Sequence, residues 1–129
     1  IEAGTRLANF LSSFWVNYQK ETEFNPLHQH TNAIYSFVIW LKIPTKYEEQ
    51  KQLKIASNAN SESISNFSFN YLDILGNNRG YIYKMSPSME GTMLFFPSHL
   101  QHQVFPFYNC KEERISISGN IAVDTTRKF

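Results

Sequence analysis

Residues 114–123, RISISGNIAV, restrict the possible folds more than any other stretch of the chain. Polar and apolar residues alternate along this stretch, as they do in a β-strand that buries one face. Other short apolar stretches recur with turn-forming residues between them, and almost no helical pattern follows residue 14. Because there is no βαβ rhythm and no internal repeat, this pattern predicts an all-β sandwich or barrel.

Local patterns place the other elements. The stretch AIYSFVIWLKI, residues 33–43, is rich in β-branched and aromatic residues and predicts a central strand, buried on both faces, that ends before Pro44. Apolar residues three and four apart in TRLANFLSSFW, residues 5–15, predict a short N-terminal helix. Residues 45–63 are polar and predict a solvated loop with one helical turn. We also expect strands at 14–19, 92–96 and 103–107, and a hairpin in which 70–75 and 81–87 flank the turn GNNRG.

The length predicts one domain that spans residues 1–129, since the chain has 129 residues and a typical domain is of that size. A composition that is 42% hydrophobic and 16% aromatic favours a packed globular fold. Because the sequence begins at Ile1 and not at methionine, we expect it to be truncated at the N-terminus.

The charge and cysteine content exclude several classes of protein. The net charge is +1 and the basic residues are scattered, so no nucleic-acid surface is expected. No apolar run approaches the roughly 18 residues of a membrane span, and no signal peptide is visible, so no membrane partner is expected. The single cysteine, Cys110, rules out an intramolecular disulfide framework and fits a reducing compartment. A cytoplasmic protein is therefore predicted.

Two of the four histidines, His28 and His30, lie two residues apart in NPLHQH. On an extended segment both side chains point to the same side, and Pro26 favours an extended backbone at the residue before it. Neutral imidazole is a common ligand for Fe, Zn, Cu and Ni. The pair predicts one half of a metal site, although a histidine-rich strand end also explains it.

A third metal ligand is predicted at His102, in FPSHLQHQVFPF, where it opens a strand after a turn. Side chains at strand ends and in loops are often functional because a rigid sheet holds them. His99 lies three residues earlier in the same turn, and we interpret it as a polar loop residue.

Arg114 begins the alternating strand and shares one face of it with Ser116, Ser118 and Asn120. An arginine on a half-buried strand face needs an anionic partner, and its planar group of donors suits a carboxylate. Ser116 is placed to add a hydroxyl hydrogen bond. A salt bridge to one of the two preceding glutamates, or simple exposure, explains the arginine equally well.

Four motifs together resemble the iron(II)/2-oxoglutarate-dependent oxygenases of the cyanophage and marine bacterial type. These motifs are HQH, SFVIWLKIP, GTMLFFPSHLQHQVFPF and ERISISGNI, and the resemblance covers residues 14–123. It implies a double-stranded β-helix, that is a jelly-roll or cupin-like fold. It also implies a dioxygenase that couples the oxidative decarboxylation of 2-oxoglutarate to the hydroxylation of a small-molecule or peptide substrate by O2.

Carried over residue by residue, the resemblance assigns His28, His30 and His102 as ligands of Fe(II). It assigns Arg114 as the partner of the distal carboxylate of 2-oxoglutarate and Ser116 as its hydroxyl helper. It also suggests that Asn17, on the strand ahead of the histidine pair, faces the cosubstrate, with a packing role as the alternative. No catalytic residue beyond the metal ligands is expected.

The sequence departs from the usual site in one respect. Iron(II) oxygenases of this kind use two histidines and one carboxylate, and His30 stands where the carboxylate is expected. The site is then a neutral three-histidine site that also suits Zn or Ni, or its carboxylate comes from Glu23 or Asp73.

Two other classes of function remain open. One is a cupin-type metal-binding protein that does not use 2-oxoglutarate, and the other is a non-catalytic structural jelly roll of the phage type. A homodimer formed through an aromatic-rich surface strand is a further possibility.

Overall fold

The computed structural model describes residues 8–124, which form eight strands and very little helix. The strands are β1 (Ala8–Gln19), β2 (Asn25–His28), β3 (Tyr35–Lys42), β4 (Phe67–Leu72), β5 (Asn78–Tyr83), β6 (Met93–Pro97), β7 (Gln101–Val104) and β8 (Arg114–Asp124). The helical parts are α1 (Tyr47–Gln50) and two 3-10 turns, Lys54–Ala56 and Pro87–Met89.

The strands form two four-stranded antiparallel sheets. The first sheet has the order β1-β8-β3-β6 and the second has the order β2-β7-β4-β5. Consecutive strands therefore often lie in different sheets, as they do in a jelly roll. The predicted all-β jelly-roll fold is confirmed.

The predicted N-terminal helix is wrong over residues 8–15, which belong to β1, and residues 5–7 lie outside the described part of the chain. The physical reason is a β-bulge between Leu11 and Ser13 in the pairing of β1 with β8. A bulge inserts one extra residue, so Leu11 and Phe14 face the same side of the sheet although they are three residues apart. The helix-like spacing therefore comes from an interrupted two-residue period.

The long apolar run forms the interior strand β3, between β8 and β6, but it is not buried on both faces. Ser36, Val38 and Trp40 are buried against the second sheet, whereas Tyr35 on the opposite face is partly exposed. The strand ends at Lys42, two residues before Pro44, as expected from the donor that proline lacks.

The hydrophobic core lies between the two sheets. It joins residues of both sheets and of the connections between them, namely Val38, Trp40, Ile43, Phe67, Phe69, Met85 and Phe96. Asn66 holds a connection in place, because its side-chain oxygen accepts a hydrogen bond from the Met85 amide at 2.9 Å. This packing fixes the distance between the sheets on either side of the cavity described below.

The predicted loop at 45–63 contains α1 and one 3-10 turn, and the predicted hairpin is formed by β4 and β5. Asp73 closes that hairpin by accepting hydrogen bonds from the Leu75 and Asn77 amides. No helix within residues 8–124 is long and apolar enough to cross a membrane.

Candidate metal and cosubstrate site

His28 and His102 are cross-strand neighbours, because β2 pairs with β7 in the second sheet. Their ring centroids lie 4.2 Å apart. Each Nδ1 faces a backbone carbonyl two residues earlier, Pro26 at 2.7 Å and Leu100 at 2.9 Å. A carbonyl only accepts, so each Nδ1 donates. In the neutral ring the lone pair is then on Nε2, which is the form in which a histidine binds a metal.

His30 lies just beyond the end of β2 and completes the cluster. Its ring centroid is 5.3 Å from that of His28 and 5.3 Å from that of His102. The His30 amide donates a hydrogen bond to the Ser98 carbonyl at 2.9 Å, which ties the segment to the turn before β7. On its other side His30 faces the indole of Trp15 in β1, at 6.1 Å between ring centroids.

The surroundings of these rings keep two of them neutral. Burial lowers the pKa of His102 from 6.5 to about 4, and the other two histidines add a smaller effect in the same direction. The pKa of His30 is also lowered, first by burial and then by the proximity of His28. Neutral imidazole is the metal-binding form, so the cluster does not have to lose a proton from these rings near neutral pH.

The three histidines offer ligand atoms that all lie within 4.8 Å of one another. Two nitrogens that bind one ion at about 2.1 Å are at most about 4.2 Å apart, so small rotations of the rings are sufficient to close the site. Among residues 8–124, no carboxylate belongs to this cluster. Glu23 lines the same cavity at its exposed edge, and Asp73 is occupied in the hairpin turn. The donor set among the described residues is therefore three imidazoles without a carboxylate.

Arg114 lies in the wall of the same cavity and is only 2% exposed. Its Nη2 donates a hydrogen bond to the Ser65 carbonyl at 2.6 Å, and its guanidinium carbon lies 5.2 Å from the centre of the Phe107 ring. Within residues 8–124, the buried Nε and Nη1 have no hydrogen-bond partner. In the described part of the chain, Arg114 forms no salt bridge with Glu112 or Glu113, and Glu112 pairs with Lys42 instead.

A buried guanidinium without a carboxylate partner is costly, and its pKa shows this. Burial lowers the pKa of Arg114 from 12.5 to about 10. Buried charges are normally paired or fully hydrogen-bonded. Two free donors beside a cavity therefore describe a receptor for an anion such as a carboxylate.

Three small polar side chains extend from Arg114 along the cavity wall. Asn17 of β1 pairs in register with Ser116 of β8, and its amide nitrogen lies 3.5 Å from the Ser116 hydroxyl and 3.2 Å from the Ser118 hydroxyl. All three residues line the cavity, so the predicted shared face of β8 is observed. They leave hydroxyl and amide groups that can reorient towards a ligand.

The cavity that these groups share has a volume of about 280 Å³, at the small end of the range for small-molecule sites. The three histidines, Arg114 and the polar residues of β1 and β8 all line it, together with the core aromatics Trp40, Phe67 and Phe96. His99 is exposed and lies outside the histidine cluster. The sequence thus predicted most of the polar lining.

Sequence reasoning missed Trp15, Ser65 and Phe107, which contact site residues directly. Trp15 could have been found, because it alternates with Asn17 on β1 and so faces the same side. Ser65 and Phe107 lie in connections between strands, where the sequence has no period to follow.

The comparisons with known proteins identify the family and the fold of the chain. The family described as "Putative 2OG-Fe(II) oxygenase" matches residues 13–120. The chain belongs to this family. The match to the 2OG-Fe(II) oxygenase family includes all eight strands except for the ends of β1 and β8, and so it covers both sheets. No curated protein matches the chain.

A solved structure shows the same fold. The chain is similar to "Oxidoreductase, 2OG-Fe(II) oxygenase family, from Burkholderia pseudomallei", with a TM-score of 0.61 and 16% sequence identity. The similarity covers 92% of this chain and 47% of that one, so the chain spans about half the length of that structure. It supports the jelly roll that the strand order shows.

Proposed function

We propose that this protein is an Fe(II)- and 2-oxoglutarate-dependent dioxygenase that hydroxylates a C–H bond of a small-molecule or peptide substrate. One observation carries the proposal. A buried arginine with two unpartnered nitrogens lines the same cavity as three histidines whose ligand atoms converge. A metal-binding jelly roll alone does not need that arginine, but a cosubstrate that has both a 2-oxo acid end and a distal carboxylate does.

The residues present fit both groups. His28 and His102 present Nε2 because backbone carbonyls hold their Nδ1 protons, and His30 converges on the same point. Imidazole nitrogen is a suitable donor for Fe(II). These three side chains would hold the metal.

Arg114 would bind the distal carboxylate of 2-oxoglutarate through guanidinium N–H groups that have no partner within residues 8–124. Charge-assisted hydrogen bonds of this kind are about twice as strong as neutral ones and fix the orientation of the ligand. Ser116 and Asn17, next along the wall, would add a hydroxyl and an amide hydrogen bond.

Bound Fe(II) and 2-oxoglutarate would supply the oxidative chemistry with O2, and the chain would supply binding and orientation. Arg114 would hold one end of the cosubstrate, and the metal held by the histidines would bind the other. The aromatic lining of the cavity, with Trp40, Phe67 and Phe96, would limit the access of water to the bound cosubstrate. We place this activity in the reducing cytoplasm, where Fe(II) and a free thiol such as Cys110 persist.

The test is an anaerobic titration of metal-free protein with Fe(II) and then with 2-oxoglutarate. We expect a metal-to-ligand charge-transfer absorption band that saturates at one equivalent, and succinate formation when O2 and a substrate are admitted. His30→Ala should abolish the band. His99→Ala is the matched control, since it removes an exposed histidine that lies outside the cluster.

If the wild-type protein binds Fe(II) but no band forms with 2-oxoglutarate, the proposal is wrong. The second candidate, a metal-binding cupin that does not use 2-oxoglutarate, then takes its place. The absence of a carboxylate from the histidine cluster within residues 8–124 favours that candidate, because neutral imidazoles also suit Zn and Ni.

A further inference from the structure

The first sheet has an apolar face that points away from the cavity, and we call it the outer face. The strand register arranges it in three rows across β1, β8, β3 and β6. The rows are Leu11, Ile121, Tyr35 and Pro97; Phe14, Gly119, Phe37 and Phe95; and Val16, Ile117, Ile39 and Met93. None of these twelve positions carries a charge.

Such a face is unusual for a sheet that meets water. An antiparallel sheet with one solvated side normally alternates apolar and polar residues. On β3, Phe37 and Ile39 face outwards although Val38 and Trp40 already face the core. On the outer face Phe14 is 56% and Phe95 is 54% exposed. Contiguous apolar patches of more than a few hundred Å² mark interaction surfaces. The outer face therefore requires a cover.

The size of the outer face matches a protein interface. Six of the twelve side chains, Leu11, Phe14, Val16, Tyr35, Met93 and Phe95, are 37–56% exposed. Half-exposed side chains of this size offer roughly 70–100 Å² each, and the less exposed positions add a smaller area, so the outer face offers on the order of 700 Å². Two such faces in contact would bury about 1,400 Å², which is within the usual range of stable interfaces. A much smaller partner would leave part of the patch in water.

Shape and charge favour a second sheet as the partner. A Cβ at Gly119 would lie 2.5 Å from a ring carbon of Phe37, so this ring lies across the glycine and fills the middle of the face. A level surface suits another sheet, because stacked sheets pack face to face about 10 Å apart. Since the rows are uncharged, the outer face can meet its own copy without opposing like charges.

We propose that the outer face packs against the same face of a second copy of this chain, so that the protein is a homodimer with a two-fold axis. The cavity lies on the other side of the sheet, between it and the second sheet, and stays open in both copies. This inference is independent of the proposed catalytic activity.

The test is the mass in solution of the full product of the gene, measured by sedimentation velocity from about 1 to about 100 μM. Phe14→Lys and Phe95→Lys place a charge at the two ends of one row, on opposite edge strands of the sheet. Each should weaken dimerisation at least about tenfold. Ile74→Lys is the matched control, because Ile74 is 101% exposed in the hairpin of the second sheet and should not affect dimerisation.

Side-chain footprinting of the wild type is a second measurement that needs no variant. Protection of Phe14 and Phe95 that is lost on dilution supports the dimer. Protection that is independent of concentration, in a monomer, means that another part of the same product or another protein covers the outer face, and it overturns the proposal. Dissociation by Phe14→Lys but not by Phe95→Lys would indicate pairing along the β1 edge, and it overturns the proposal as well.

Discussion

Replacing Arg114 by methionine should stabilise the ligand-free protein while it weakens the binding of 2-oxoglutarate. The two effects have opposite signs because Arg114 is a buried cation that, within the described structure, has no carboxylate partner. Methionine preserves much of the length and the apolar stem of the side chain but removes the charge and the unpaired donors. A residue that served only the fold would show destabilisation and no change in binding.

The expected stabilisation follows from the contacts of the guanidinium. Burial lowers its pKa from 12.5 to about 10, which corresponds to roughly 3 kcal/mol against the charged form. The hydrogen bond to the Ser65 carbonyl and the contact with the Phe107 ring offset about 2 kcal/mol of this. The free energy of unfolding of Arg114→Met should therefore rise by about 1 kcal/mol, in keeping with other buried ions that have been replaced by apolar residues.

The expected loss of binding is larger. Removing one partner of a buried, hydrogen-bonded ion pair costs about 2–5 kcal/mol, which is at least a thirtyfold loss of affinity. Urea unfolding followed by tryptophan fluorescence measures the first effect, and calorimetric titration of the metal-loaded protein with 2-oxoglutarate measures the second. Lys42→Met is the control, since it removes a surface cation whose partner is Glu112, and it should change neither quantity appreciably.

If Arg114→Met lowers the free energy of unfolding by more than about 2 kcal/mol and leaves the affinity for 2-oxoglutarate unchanged, then Arg114 belongs to the fold through Ser65 and not to the binding site.

Three further predictions concern stability. The pKa of His102 in the folded protein is about 4, below the ordinary value of 6.5. The metal-free protein should therefore keep its full free energy of unfolding above pH 6.5 and lose about 3 kcal/mol of it as the pH falls to 4. Urea unfolding at several pH values measures this loss, which should be absent in His102→Gln. Gly119→Ala should destabilise by about 2 kcal/mol in thermal unfolding because its Cβ would meet an aromatic ring at 2.5 Å, whereas Gly80→Ala, with a nearest contact at 3.3 Å, should cost less. Asn66→Ala should cost about 2–3 kcal/mol by chemical denaturation, since it leaves the buried amide of Met85 without its acceptor, and a loss below about 0.5 kcal/mol would contradict that role.

The strands were predictable from sequence where an uninterrupted two-residue period runs along them. β8 is the best example, because its alternation correctly placed Arg114, Ser116 and Ser118 on the cavity side. β1 shows the limit. Its bulge at residue 12 converts a period of two into a spacing of three, and a local pattern cannot distinguish that from one turn of a helix.

The histidine cluster was predictable only in part. The spacing of His28 and His30 predicts a common direction, but the contact of His28 with His102 depends on the pairing of β2 with β7, which are more than 70 residues apart in the chain. Register of that kind depends on tertiary packing and not on local pattern. The hydrogen bond from Arg114 to Ser65 could not be predicted either. Ser65 adopts a positive φ of 62°, a conformation that usually favours glycine, and no glycine in the sequence indicates it at this position.

The missing carboxylate and the unpaired arginine are two parts of one charge balance. Three neutral imidazoles leave the charge of a divalent metal undiminished, and Arg114 adds a further positive charge to the same cavity. The carboxylate of Glu23 lies at the exposed edge, where water screens it. In the proposed function the ligand would neutralise this charge, and a dianion such as 2-oxoglutarate would bind the metal at one end and Arg114 at the other. The metal and the cosubstrate should therefore strengthen each other's binding, because the negative cosubstrate compensates the positive charge that the metal brings into the cavity. This coupling should be stronger than in a site where a protein carboxylate already offsets the charge of the metal.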